Sequence, residues 1–177
     1  MKIVLLIRDP RGMVNSRLSK GWNLKNIKNC QSGKNCISSF LKLMNVCNTW
    51  EEYLSFKNRD FGSESDEKHW NNEVLAVRYE DLAAEPYKMA DKVYKFLGMS
   101  FPDVVHDWIR LHTKNSTTTA LKWKVDMENK GRWDVIEAVQ NHCPKTFEYF
   151  GYKKIKNKME ILSTETIENM GCVDCKW

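Results

Sequence analysis

The sequence predicts an α/β fold, a parallel sheet flanked by helices, and three features predict it. Lys2-Ile-Val-Leu-Leu-Ile7 and Glu73-Val-Leu-Ala-Val-Arg-Tyr79 are short, nearly unbroken apolar runs, the pattern of strands covered on both faces. Each is followed at once by residues that start and sustain a helix. The long interval between them suits the crossover that parallel strands need and a hairpin does not.

The elements follow in order. Asp9 is placed to cap a helix whose first position is Pro10, with Met13, Val14 and Leu18 at helical spacing and Gly21 as a stop. Residues 22–35, rich in Asn, Lys and Gly, read as a loop. Phe40, Leu41, Met44, Cys47, Trp50 and Leu54 mark an amphipathic helix over 36–56, and the polar residues 61–68 an exposed loop. After the second strand a helix is expected over 80–97, with Pro86 near its true start and Gly98 at its end. A helix over 103–112, a polar stretch over 114–119 and a last helix over 133–150, stopped by Gly151, complete the pattern. The residues after Lys158 carry no clear pattern.

A chain of 177 residues suffices for one domain with a core. Its 42% hydrophobic and 29% charged residues are those of a globular protein rather than a disordered one. The net charge of +5 suits an anionic ligand and falls short of the basic stripe of a dedicated nucleic-acid binder, so no nucleic-acid partner is expected. The apolar run Ile3–Ile7 ends at Arg8, too short to span a membrane or form a signal-peptide core. Because that run begins almost at Met1, a fragment is expected. The six cysteines allow about fifteen pairings, among which sequence does not choose. Cys172-Val-Asp-Cys175 has no second such pair beside it, so a tail disulfide or free thiols are expected rather than a metal site.

The chemistry concentrates at the end of the first strand. Arg8-Asp-Pro-Arg-Gly-Met-Val-Asn-Ser16-Arg17 joins that strand to the first turns of a helix, where open α/β sheets bind ligands. A guanidinium there offers a planar fork to phosphate oxygens. Ser16 lies roughly 9 Å along the helix from Pro10, so a phosphate lying beside the helix could meet both side chains. A capped helix with solvated arginines is the structural alternative.

Arg8-Asp-Pro-Arg11 with Ser16-Arg17 resembles the 3′-phosphate-binding motif of the Golgi carbohydrate 6-O-sulfotransferases, which sulfate galactose, N-acetylgalactosamine and N-acetylglucosamine. Val77-Arg-Tyr-Glu-Asp-Leu82 with Glu85-Pro86, then Val93-Tyr-Lys-Phe-Leu-Gly98, resembles the family's second strand–helix junction. Trp123-Lys124, Cys143 and Phe150-Gly-Tyr152 resemble its C-terminal pattern, with Lys124 where the family usually has Arg. The likeness covers roughly residues 2–155, which the resemblance makes the C-terminal part of a sulfotransferase domain, with 156–177 a tail.

The resemblance implies a P-loop-type sulfotransferase fold, incomplete here, whose 5′-phosphosulfate loop and membrane anchor would lie N-terminal to Arg8. It implies 3′-phosphoadenosine 5′-phosphosulfate (PAPS) as co-substrate, no metal, a glycan acceptor and the Golgi lumen. Arg8 and Ser16 would hold the 3′-phosphate, Tyr79 would lie near the adenine, and Lys124 would be a further nucleotide contact. Asn115-Ser-Thr117 is a glycosylation acceptor triplet. No catalytic base is identified, since His69, His106, His112 and His142 lack a companion carboxylate at telling spacing. A non-catalytic nucleotide- or glycan-binding module, or another α/β nucleotide enzyme such as a kinase, is the alternative.

Overall fold

A computed structural model describes residues 2–19, 45, 47, 48, 74–113 and 116–161. The loops expected over 22–35 and 61–68 lie outside the described residues, as does all but Asn45, Cys47 and Asn48 of the helix expected over 36–56. Asn115, His69 and the Cys172/Cys175 pair lie outside them too.

Strands β1 (Ile3–Ile7) and β2 (Val74–Arg78) pair in parallel, with Ile3 opposite Val74 and Ile7 opposite Arg78. Side chains alternate between the two faces of such a sheet. On one face Leu5, Ile7 and Ala76 join the main core, to which helix α1 (Pro10–Ser19) contributes Val14 and Leu18. On the other, Leu75 and Val77 pack against Met89, Val93 and Phe96. Val4 and Leu6 stand opposite Leu75 and Val77 and are 40% and 53% exposed. The expected two-sided cover therefore holds for β2 but not β1. The helix that follows β2 lies over its own strand, and no described element extends that layer to β1.

The helix expected over 80–97 is two helices, α2 (Tyr79–Ala84) and α3 (Pro86–Leu97). Pro86 disfavours helical backbone in the residue before it, and Glu85 lies at φ −129°, ψ 63°. Glu85 still closes α2, its N–H donating to Asp81 O at 2.9 Å, while its carbonyl accepts from Met89 N at 3.0 Å to open α3. Gly98 ends α3 at φ 76°, the left-handed conformation open to glycine at little cost. Helix α4 (Asp103–His112) falls where expected.

Helix α5 (Ser116–Asn129) replaces part of the expected polar stretch. Ser and Thr are weak helix formers, and tertiary packing overrides that preference. Ala120, Trp123 and Met127, on one face of α5, are buried. The last expected helix is again divided before a proline, into α6 (Trp133–His142) and α7 (Pro144–Tyr149). Between them Cys143 forms a disulfide with Cys47, their Cα atoms 5.5 Å apart. A 3₁₀ turn over Lys158–Glu160 follows.

Candidate functional site

The strand register continues past the ends of the strands. With Ile7 opposite Arg78, the next residues meet in turn. The Arg8 guanidinium carbon lies 4.8 Å from the centre of the Tyr79 ring. The Asp9 N–H donates to Glu80 Oε1 at 3.0 Å. Successive residues take opposite sides, so the two strand ends build one set of contacts inward and another outward.

The inward set is a closed polar network. Asp9 caps α1 as expected, its Oδ1 accepting from Arg11 N at 2.8 Å. The same carboxylate takes the Arg11 fork, through Nε at 3.0 Å and Nη2 at 2.7 Å. Arg11 Nη1 donates to Gln140 Oε1 and to the Lys153 carbonyl, both at 3.0 Å. The Arg11 guanidinium carbon lies 4.7 Å from the rings of both Trp123 and Phe147. At 1% exposed, Arg11 is not the solvated arginine that a merely capped helix suggests.

Arg78 completes the network on the β2 side. Its Nε donates to Asp81 Oδ2 at 2.7 Å, its Nη2 pairs with Asp81 Oδ1, and its Nη1 donates to the Phe150 carbonyl at 3.1 Å. Tyr152 OH donates to Glu80 Oε2 at 3.0 Å. Gln140 closes the far end by binding the backbone of Ile155 through both amide atoms. The Arg-Asp-Pro-Arg stretch, the Arg-Tyr-Glu-Asp stretch and Gly151-Tyr152 are thus joined through buried side chains.

Burial pushes the Glu80 carboxyl up to about 7, and the neighbouring Asp9 carboxylate adds to the rise. Tyr152 is raised well above the usual tyrosine value, by burial first and by Glu80 second. Sequence patterning missed this network because its members lie far apart along the chain. The signal that could have found it is an acid two residues past each strand end, Asp9 after Ile7 and Glu80 after Arg78.

The outward set holds the expected ligand residues. Arg8 is partly exposed and stacks on Tyr79, the first residue of α2. Its Nε is buried without a hydrogen-bond partner. Gly12, one turn into α1, lets neighbours come close: a Cβ there would stand 3.5 Å from Arg8 Nε and 3.0 Å from Trp123 Cδ1. Ser16, partly buried, lies four residues beyond Gly12 and so on the same face of α1, about 6 Å further along its axis. The structure therefore brings Arg8 and Tyr79 together and sets Ser16 on the helix face beside Arg8. Lys124 is partly buried on α5, four residues after buried Ala120. His106 and His112 sit on exposed parts of α4, against Tyr87 and Trp108 respectively, away from the two strand ends in sequence.

The comparisons with known proteins bear on the same residues. Carbohydrate sulfotransferase 1 of Danio rerio is 28% identical to the chain, over 96% of the chain and 43% of the relative. The Mus musculus protein of the same name is 26% identical over 91% of the chain and 41% of the relative. Carbohydrate sulfotransferase 3 of Tetronarce californica is 25% identical over 96% of the chain and 40% of the relative. The chain thus spans about two fifths of the length of these relatives. No solved structure matches it. The sulfotransferase domain family matches residues 1–158, a span that takes in both strand–helix junctions, α5 and the Tyr152 end of the network, so the chain belongs to the sulfotransferase domain family.

Proposed function

We propose that the protein transfers a sulfuryl group from PAPS to a sugar hydroxyl, the 6-hydroxyl of galactose, N-acetylgalactosamine or N-acetylglucosamine. Arg8 and Ser16 hold the 3′-phosphate of the nucleotide, with Tyr79 beside the adenine and Lys124 as a further contact. The observation that carries this reading is the Arg8 guanidinium, whose Nε–H is buried against Gly12 and has no hydrogen-bond partner. A buried donor without a partner is costly and rare, and a phosphate oxygen satisfies it. The residues present therefore fit the 3′-phosphate end of the co-substrate.

When bound, PAPS supplies the sulfuryl group. Sulfuryl transfer by in-line displacement joins the sugar oxygen to sulfur as the bond from sulfur to the phosphate oxygen breaks, leaving adenosine 3′,5′-bisphosphate, while a base takes the hydroxyl proton. No residue of this chain is assigned as that base. What the chain contributes is position. The buried Asp9–Arg11 pair fixes the start of α1, and α1 sets Ser16 relative to Arg8.

The relatives are named for carbohydrate, which supports a glycan acceptor, and the family resemblance supports residence in the Golgi lumen. The Cys47–Cys143 disulfide suits that oxidising compartment, in which the triplet Asn115-Ser-Thr117 is a glycosylation acceptor. No helix among the described residues is long and apolar enough to cross a membrane.

Calorimetric titration of the intact protein tests the reading. Arg8→Ala weakens adenosine 3′,5′-bisphosphate by about one to two orders of magnitude, as a charge-assisted contact of roughly 1.5–3 kcal/mol implies. Binding of adenosine 5′-phosphate changes little. Ser16→Ala costs about half as much in free energy, and Arg8→Lys recovers only part of the loss because an ammonium lacks the fork. Equal losses for both nucleotides overturn the 3′-phosphate assignment.

A further inference from the structure

Trp123 stands on α5, 2% exposed, with the edge of its indole against α1. The contact is made at Gly12, where a Cβ would lie 3.0 Å from Trp123 Cδ1 and 3.6 Å from Cγ. Cδ1 is covalently bonded to Nε1, so the indole N–H lies one bond beyond this contact. That N–H is buried and has no hydrogen-bond partner. Arg8 Nε, 3.5 Å from the same Cβ position, is the second buried donor without a partner there.

Tryptophan presents a donor and never an acceptor, as does arginine. Buried indole N–H groups usually find a partner. Two unpartnered donors beside one glycine, one of them on a cation, match an anionic oxygen and mismatch an amine or a metal ion. Ser16 adds a hydroxyl one turn further along the same helix face. Trp123 also lies 4.7 Å from Arg11, whose fork is bound to Asp9. Its ring is therefore covered by Arg11 while its Cδ1 atom, next to the N–H, meets α1.

We infer that the Trp123 indole N–H is a donor to the phosphate that Arg8 and Ser16 hold, which makes Trp123 a specificity-determining residue for 3′-phosphorylated nucleotides. The inference rests on the proposed 3′-phosphate site. It also gives Gly12 a role, since a side chain there would press on the Trp123 indole and crowd Arg8 Nε.

The test follows the tryptophan indole resonances of the ¹⁵N-labelled intact protein as adenosine 3′,5′-bisphosphate or adenosine 5′-phosphate is added. The Trp123 resonance is assigned by its loss in Trp123→Phe or, should that variant not fold, by its proximity to Gly12. The expected result is a shift of the Trp123 indole proton with the bisphosphate and none with the 5′-phosphate. Trp123→Phe, which keeps a ring and removes the N–H, weakens the bisphosphate about tenfold and spares the 5′-phosphate. Gly12→Ala weakens the bisphosphate in the same selective way. A Trp123 resonance that ignores both nucleotides, or responds equally to both, overturns the inference. If Arg8→Ala still abolishes discrimination in that case, the 3′-phosphate site itself stands. Wild-type protein that does not distinguish the two nucleotides overturns both.

Discussion

Arg8 and Arg11 stand on either side of Asp9-Pro10 at one strand–helix junction, and their guanidinium groups are satisfied in different ways. Arg11 is buried, forked onto Asp9, bonded to Gln140 and the Lys153 carbonyl, and set between two aromatic rings. Arg8 is partly exposed, rests on Tyr79 and keeps a buried Nε without a partner. The second junction repeats the division, with Tyr79 outward beside Arg8 and Glu80 inward beside Asp9. A short motif can therefore carry two jobs at adjacent positions. Only geometry separates the residues left to meet the proposed phosphate from those that hold the frame.

The largest effect that could break this division is on folding. Arg11→Ala leaves the Asp9 carboxylate buried and unpaired, which costs about 3–5 kcal/mol. Arg8→Ala, on the outward side, costs about 1 kcal/mol or less in stability. Chemical denaturation of both variants of the intact protein checks the contrast. Similar losses would mean that the two arginines share the same structural task.

The next effect sharpens the inward side. Glu80 has its pKa raised by burial and by Asp9, from the ordinary 4.5 to about 7, so the folded state holds a proton there more tightly than the unfolded chain does. Stability from this source is full below about pH 4.5 and is lost as the pH rises through about 7. The whole change is on the order of 3 kcal/mol. Glu80→Gln keeps an acceptor for the Asp9 N–H without the titration. Its stability should vary less over that window and exceed that of the native protein above pH 7. Denaturation midpoints measured from pH 4.5 to 8 decide it, and parallel curves for the two proteins would refute the buried titration.

The position of Arg8 and Ser16 at a strand end and along a capped helix start was legible in the sequence, because these are local features. Their phosphate role, and the choice of Tyr79, came from the family resemblance and stand as a proposal, to which the structure adds the contact between Arg8 and Tyr79. The strands were legible for the same reason, within one or two residues at their ends. The helix breaks at Glu85 and Cys143 were less so, because apolar spacing runs through a proline whose effect on the preceding residue is only a bias. Helix α5 was missed where Ser and Thr argued against it and burial of Trp123 and Met127 prevailed. The Cys47–Cys143 pairing and the Arg11–Gln140 bond depend on residues far apart in sequence. No local pattern carries such contacts. The exposure of Val4 and Leu6 was hidden for a related reason, since an apolar run states what a strand needs covered and not which element covers it.

The smallest effect tests how the inward network is tuned. The Tyr152 phenol, held far above its usual pKa by burial and by Glu80, stays protonated and donates to Glu80 Oε2 at 3.0 Å. That bond favours the charged carboxylate and so lowers the Glu80 pKa against the rise caused by burial. Tyr152→Phe removes the bond while keeping the ring that meets Phe147 edge-on, 6.0 Å between centres. The expected cost is about 1–2 kcal/mol above neutral pH, where a buried carboxylate loses a donor. Below the Glu80 midpoint the cost is smaller, because the neutral acid depends less on that donor. The Glu80 pKa itself moves upward, whereas a role in packing alone would leave it where it is. Stability curves of Tyr152→Phe, measured in the native background and with Glu80→Gln, separate the cases. In the double variant the pH dependence should vanish with the carboxylate, and a Tyr152→Phe cost that stays the same at every pH would remove Tyr152 from the titrating pair.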